Sequence, residues 1–178
     1  MLNLGAGLDT RAFWDDALKT CTLYVEVDSA EVNKYKNGVL DGLKAEGKLP
    51  DPQCKRNIVS MDFKKETIAD LPSKGSDFDK EKQTCWILEG LVMYLTAEEN
   101  ITLLTEISKL SASGSLMILN FTANNPPCDP DAHDKLMAEK GWKKRERLMF
   151  GDPKFNYGKY PPSMEPSAVY GFSFYVKK

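Results

Sequence analysis

Apolar and polar positions along this chain switch repeatedly between a period of two and a period near 3.6, and the switches predict strands alternating with helices. Met1 to Leu4 reads as the end of a buried strand that runs into a turn at Gly5-Ala6-Gly7. Arg11 to Lys19 carries Phe13, Trp14, Ala17 and Leu18 at helical spacing, so a first helix is expected there. Leu23 to Val27 is a second strand. A second helix follows from about Ala30, with Val32, Tyr35, Val39, Leu40 and Leu43 on its apolar face and Gly47 and Pro50 at its end. Asn57 to Met61 is a third short strand, and Leu71 to Gln83, with Pro72 and Gly75, is a surface connection. Thr84 to Leu88 is a fourth strand. Thr96 and Glu99 have capping-box spacing and start a helix whose buried stripe is expected at Ile101, Leu104, Ile107 and Leu110. Ser115 to Phe121 is the fifth strand. Asp129 then caps a helix with Pro130 at its first position, ending near Gly141. Beyond Arg145 the helical period is lost, and Ala168 to Val176 alternates in part, which predicts two late strands pairing as an antiparallel edge.

Five strands alternating with helices imply an α/β fold of the Rossmann-like type, with a mostly parallel twisted sheet and helices on both faces. The 178 residues suit a single domain. The opening strand, only four residues from Met1 to Leu4, gives the expectation that this domain is truncated at its N-terminal side.

Composition narrows the chemistry. Charged residues make up 28% and the net charge is −2, with the basic clusters Lys64-Lys65 and Lys143-Lys144-Arg145 short and scattered, so no nucleic-acid partner is expected. The four cysteines lie 33, 31 and 43 residues apart, which suits reduced thiols in a cytoplasmic protein and matches no zinc spacing. His133 is the only histidine, which argues against a Ser-His-Asp triad or a multi-histidine metal site. No apolar run is long enough to suggest a membrane partner. The sequence leaves oligomeric state open.

The candidate chemistry gathers at the strand ends. Gly5 and Gly7 stand where a strand-to-helix turn needs unusual backbone angles and close approach to a ligand. Asp28 ends the second strand 21 residues after Gly7, the spacing of a carboxylate that grips ribose hydroxyls. Asp62-Phe63 follows the third strand and Glu89-Gly90 the fourth. Two cofactor classes compete for such a loop. A dinucleotide favours a small residue where Thr10 stands, and Asp9 at a helix start opposes a diphosphate. A cofactor without phosphates and with a cationic centre, such as S-adenosylmethionine, suits Asp9 better.

Three blocks then carry a resemblance. Asn3-Leu4-Gly5-Ala6-Gly7-Leu8-Asp9-Thr10-Arg11, Val25-Glu26-Val27-Asp28 and Trp86-Ile87-Leu88-Glu89-Gly90-Leu91-Val92-Met93-Tyr94-Leu95 resemble, in order and spacing, signatures of the leucine carboxyl methyltransferase-like family. The likeness covers residues 1–121 and is nearer the bacterial small-molecule O-methyltransferase branch. It implies a class I methyltransferase fold that uses S-adenosyl-L-methionine. It also implies that Gly5, Ala6 and Gly7 face the methionine portion, Asp28 the ribose, Asp62 and Phe63 the adenine, and Glu89 the methionine ammonium. Met93 and Tyr94 are candidates for lining the acceptor pocket, with Phe150 to Tyr160 contributing, although core packing suits Met93 and Tyr94 equally. Asp62 and Glu89 also suit turn-forming or capping roles, and Asp9 and Arg11 a local ion pair.

The resemblance also implies a helical segment ahead of the glycine block that helps cover the cofactor, and the expectation from the short opening strand is that this segment is missing here. The expected activity is methylation of a carboxylate on a small molecule or peptide, because such an acceptor is already ionised at neutral pH and needs no general base. A cofactor-binding remnant with little turnover is the alternative, and a nicotinamide dehydrogenase a weaker one.

Overall fold

The computed structural model describes residues 1–155, 161 and 164–178. Contacts divide the chain into two compact units, residues 1–79 and 80–178.

The first unit holds β1 (Leu2–Leu4), β2 (Leu23–Asp28) and β3 (Lys55–Ser60), paired in parallel in the order β3-β2-β1. Leu2 pairs with Val25, and Asp28, at the end of β2, pairs with Ser60. β1 and the middle of β2 are buried, as a central strand must be. The helix after the glycine turn, α1 (Arg11–Trp14), is far shorter than the Arg11–Lys19 helix the periodicity predicts. Asp15 leaves the helical region and accepts from the Ala17 amide at 2.9 Å, capping a separate 3-10 turn over Asp16–Thr20. Aspartate competes for nearby amides in this way, so consecutive acids break a helix that the apolar spacing alone would continue. Ala12, Phe13 and Leu18 are buried, whereas Trp14 and Ala17 are exposed.

α2 (Ala30–Ala45) starts at Ser29, whose hydroxyl accepts from the Val32 amide. Its buried residues are Asn33, Lys36 and Leu40, while Tyr35 and Val39 are exposed. The expected apolar face is therefore borne out only in part: Leu40 is buried and Val32 and Leu43 half-buried, but the buried side is turned away from Tyr35 and Val39. The reason is polar. The Asn33 amide donates to the carbonyl of Val59 at 3.0 Å and to that of Asp28 at 3.2 Å. Lys36 reaches Glu26 at 2.8 Å, with only 3% and 1% of the two side chains exposed, and Arg56 completes this triad at 2.6 Å.

The second unit holds β4 (Cys85–Leu88) parallel to β5 (Leu116–Thr122), then β7 (Tyr170–Lys177) antiparallel to β5 and β6 (Trp142–Met149) antiparallel to β7. This is the predicted late hairpin-like edge. α3 (Ala97–Lys109) begins with the predicted capping box of Thr96 and Glu99, each making its bond to the other's backbone amide. Its buried face is Asn100, Leu103, Leu104, Ile107 and Ser108, and Ile101 is exposed rather than buried. α4 (Pro130–Glu139) has the predicted Asp129 cap. At Gly171 a Cβ would lie 2.4 Å from the Leu148 carbonyl, so this strand position admits only glycine without rearrangement. No helix among the described residues is long and apolar enough to cross a membrane.

Candidate functional site

The glycine turn hangs from the end of β2. The amides of Gly5 and Ala6 both donate to the Val27 carbonyl, at 2.8 and 3.1 Å, which curls the chain over the strand ends. Gly5 and Gly7 have φ of 69° and 49°, the left-handed region that β-carbons disfavour. At Gly7 an added Cβ would meet nothing within 4 Å, so the turn is open to an approaching molecule and the glycine is required for its backbone angle.

Asp28 closes this arrangement. One carboxylate oxygen accepts from the Gly7 amide at 2.7 Å and the other from the Ser29 amide at 2.7 Å. The two motifs that the sequence separates by 21 residues are thus one hydrogen-bonded unit. A carboxylate offers about four lone-pair directions, so Asp28 retains acceptors for ligand hydroxyls beyond these two bonds.

Asp9 proves to be part of a paired cluster. Its carboxylate accepts from Asn3 Nδ2 at 2.7 Å and from the Arg11 amide at 2.8 Å, and Arg11 Nε lies 2.5 Å away. Asn3 Nδ2 also donates to the Tyr24 hydroxyl at 2.9 Å. Burial, and then the Asp9 charge, push the Tyr24 phenol above its usual range, so it stays a neutral hydrogen-bonding group. With Arg11 beside it, Asp9 repels an anion less than the bare sequence implies. Asn3 and Tyr24 escape notice in the sequence because each looks like an ordinary strand residue.

Asp62 lies past the end of β3, near Asp28 along the sheet, where the Met61 amide donates to the Asp28 carbonyl at 2.9 Å. Its carboxylate accepts from the Lys64 amide at 3.0 Å and pairs with Lys65 at 3.2 Å, so the turn-forming role is realised. The Lys64 amide first, and then Lys65, hold its carboxyl below the usual range. Phe63, beside it, is half-buried.

In the second unit Glu89 follows β4 and is exposed. Gly90, with φ of 70°, donates its amide to Asn120 Oδ1 at 3.2 Å. Asn120 is fully buried, donates to the Gly171 carbonyl at 2.9 Å and accepts from the Tyr170 hydroxyl at 3.3 Å. This residue fixes the Glu89-Gly90 turn, and its signal in the sequence was an amide inside the apolar run of β5. Met93 and Tyr94 occupy a 3-10 turn over Val92–Tyr94. Met93 is half-buried and Tyr94 is 72% exposed, so Tyr94 does not serve the core. Asn100 holds this turn by donating to the Val92 carbonyl at 2.9 Å and the Pro127 carbonyl at 3.1 Å. Of the closing segment proposed for the acceptor pocket, Tyr157 and Tyr160 lie outside the described residues.

Residues 1–108 match the family model described as leucine carboxyl methyltransferase. The chain belongs to this family. Among its relatives, a provisionally named S-adenosyl-L-methionine-dependent methyltransferase of Mycolicibacterium smegmatis is 35% identical over 131 residues, which is 72% of this chain and 40% of that protein. A relative with the same provisional name from Mycobacterium ulcerans is 34% identical over 152 residues, covering 84% of this chain and 46% of its own length. The chain therefore spans less than half the length of these relatives.

Solved structures agree on the fold. A provisionally identified methyltransferase of Thermobifida fusca matches with a TM-score of 0.67 at 15% identity, covering 99% of this chain and 72% of that one. Human N-acetylserotonin methyltransferase, solved in complex with S-adenosylmethionine, matches with a TM-score of 0.59 at 14% identity, covering 99% of this chain and 47% of that one. The leucine carboxyl methyltransferase family member described here thus has the Rossmann-like α/β fold of class I methyltransferases.

Proposed function

We propose that the protein is an S-adenosyl-L-methionine-dependent O-methyltransferase acting on a carboxylate of a small molecule or peptide. The observation that carries the cofactor assignment is the 2.7 Å bond from the Gly7 amide to the Asp28 carboxylate, which joins the glycine turn and the ribose-type acid. Membership of the leucine carboxyl methyltransferase family supports the same reading. In it, Gly5, Ala6 and Gly7 pack against the methionine portion and Asp28 accepts from the ribose hydroxyls. Asp62 accepts from the adenine amino group with Phe63 alongside, and Glu89 meets the methionine ammonium.

When bound, the cofactor supplies a methyl group activated on a sulfonium. The chain then has to align the acceptor and exclude water. Met93 and Tyr94 are assigned to the acceptor side, and the exposure of Tyr94 supports that assignment over a core role. A carboxylate acceptor is favoured because its ionised form needs no base. The one histidine, His133, is buried in α4, away from a base's task. The two compact units are read as one methyltransferase domain, supported by structural matches that run through both. A reducing cytoplasm suits the free state of Cys21, Cys54, Cys85 and Cys128.

Calorimetric titration of the chain with S-adenosylmethionine, its demethylated product and NAD tests the cofactor. The first two are expected to bind more tightly, and tighter binding of NAD overturns the assignment. Transfer of a labelled methyl group to a panel of carboxylic acids, phenols and alcohols tests the acceptor class. Preference for a phenol or alcohol would remove the carboxylate reading while leaving the cofactor reading intact.

A further inference from the structure

Two of the five side chains on the expected apolar stripe of α2 stay in solvent. Tyr35 is 64% exposed and Val39 47%, and both border a shallow groove with Glu31, Lys34 and Gly38. Along the stripe a Cβ added at Gly38 or Gly42 would meet nothing within 4 Å, so another backbone can come close there. Lys34 and Asp41 are exposed, and among the described residues neither has an ion-pair partner. Seven residues apart, they lie two turns from each other on one flank of the helix, with Tyr35 and Val39 toward the other.

We propose that α2 is the contact face of a two-fold symmetric homodimer, in which it packs antiparallel against α2 of a second copy. The argument is self-complementarity. A two-fold axis at right angles to two antiparallel helices keeps equivalent flanks on the same side and reverses the order of residues. With the axis near Gly38, Lys34 of each copy comes opposite Asp41 of the other on one flank, and Tyr35 comes opposite Val39 on the other. Lys34 and Asp41 are equally far from the point between Asn37 and Gly38, and Tyr35 and Val39 equally far from Asn37, so one axis at this turn serves both pairs to within half a residue. One placement therefore satisfies two unpaired charges twice over and covers both exposed apolar side chains twice over. A helix of this length is about 24 Å long, so the contact lies at the small end of protein interfaces and the dimer dissociates on dilution.

Sedimentation of the full chain over a wide range of concentrations tests this, with charge variants as the decisive arm. The wild type is expected to follow a monomer–dimer equilibrium. Lys34→Glu and Asp41→Lys each turn two attractions into two repulsions and weaken self-association by about tenfold or more. Mixing the two variants restores opposite charges across the contact, so the mixture is expected to associate more tightly than either variant alone. Thermal unfolding of each variant confirms that these exposed changes leave the fold intact. A chain that stays monomeric at every concentration overturns the proposal. So does an association that neither variant weakens, or a mixture that associates no better than its parts.

Discussion

The two units hold their candidate-site turns with different chemistry. In residues 1–79 the turn-holding groups are carboxylates: Asp28 takes the Gly7 and Ser29 amides, Asp9 takes Asn3 and Arg11, and Asp62 takes the Lys64 amide. In residues 80–178 the corresponding groups are buried amides, Asn120 at the Glu89-Gly90 turn and Asn100 at the turn after it. An ionised carboxylate that accepts two backbone amides keeps lone pairs and charge for a ligand. A buried amide spends its donors on backbone carbonyls and has little left to offer. In the proposed reading the carboxylates of the first unit are left able to serve the cofactor, whereas the buried amides of the second hold the shape of its turns.

The sharpest way to break that comparison is to attack the charged framework behind the first unit. Lys36→Met leaves Glu26, 1% exposed, with Arg56 as its remaining partner. Denaturant unfolding is expected to show a loss of about 3–5 kcal/mol, the scale for breaking one side of a buried ion pair. A change under about 1 kcal/mol would mean that Arg56 alone compensates Glu26.

The amide framework is expected to be worth somewhat less. Asn120→Leu strands the Gly90 amide and the Gly171 carbonyl and should destabilise the chain by about 2–3 kcal/mol. Amide exchange at Gly90 should speed up at the same time. If stability falls while Gly90 stays protected, another group holds the turn.

Asp28→Ala sharpens the comparison from the binding side. Affinity for S-adenosylmethionine should drop by about 1.5–3 kcal/mol. Because Asp28 also holds Gly7 and Ser29, a modest fall in the unfolding midpoint should accompany it. Asp28→Asn, which keeps one acceptor oxygen, should recover part of the fold stability but less of the affinity. Loss of stability with affinity unchanged would make Asp28 purely a loop clamp.

The smallest effect expected is one of pH in the second unit. Burial lowers the pKa of His133, opposed by the Pro127 carbonyl and by Asp129 and Asp134. The folded state then favours neutral imidazole, whereas the unfolded chain takes up a proton below about pH 6.5. Stability from this group is present above that pH and is lost as pH falls toward the depressed folded value. His133→Gln should flatten this part of the profile, and an unchanged slope would show that the acids around it dominate.

Much of this protein was legible before its structure. The alternation of strands and helices, the Thr96–Glu99 capping box and the Asp129 cap rest on short-range rules that act within a few residues. Gly5, Gly7 and Asp28 were legible for the same reason, since the spacing of a turn and the next strand end is set by one βαβ unit. The buried faces of α2 and α3 were less so. Periodicity assigned Tyr35 and Ile101 to the interior, yet the chain buries Asn33, Lys36 and Asn100 instead.

The sequence by itself determined the alternation of elements and the place of the glycine turn and its acid, because backbone sterics and side-chain spacing are local. Only the tertiary structure decided which face of each helix goes inside. Asn33 is worth burying because the carbonyls of Asp28 and Val59 wait for it, and Lys36 because Glu26 does. Asp9 likewise changes meaning once Arg11 stands against it. A polar residue's hydrophobicity is fixed by its type, but the free energy of burying it depends on the partner across the fold, which no local pattern records.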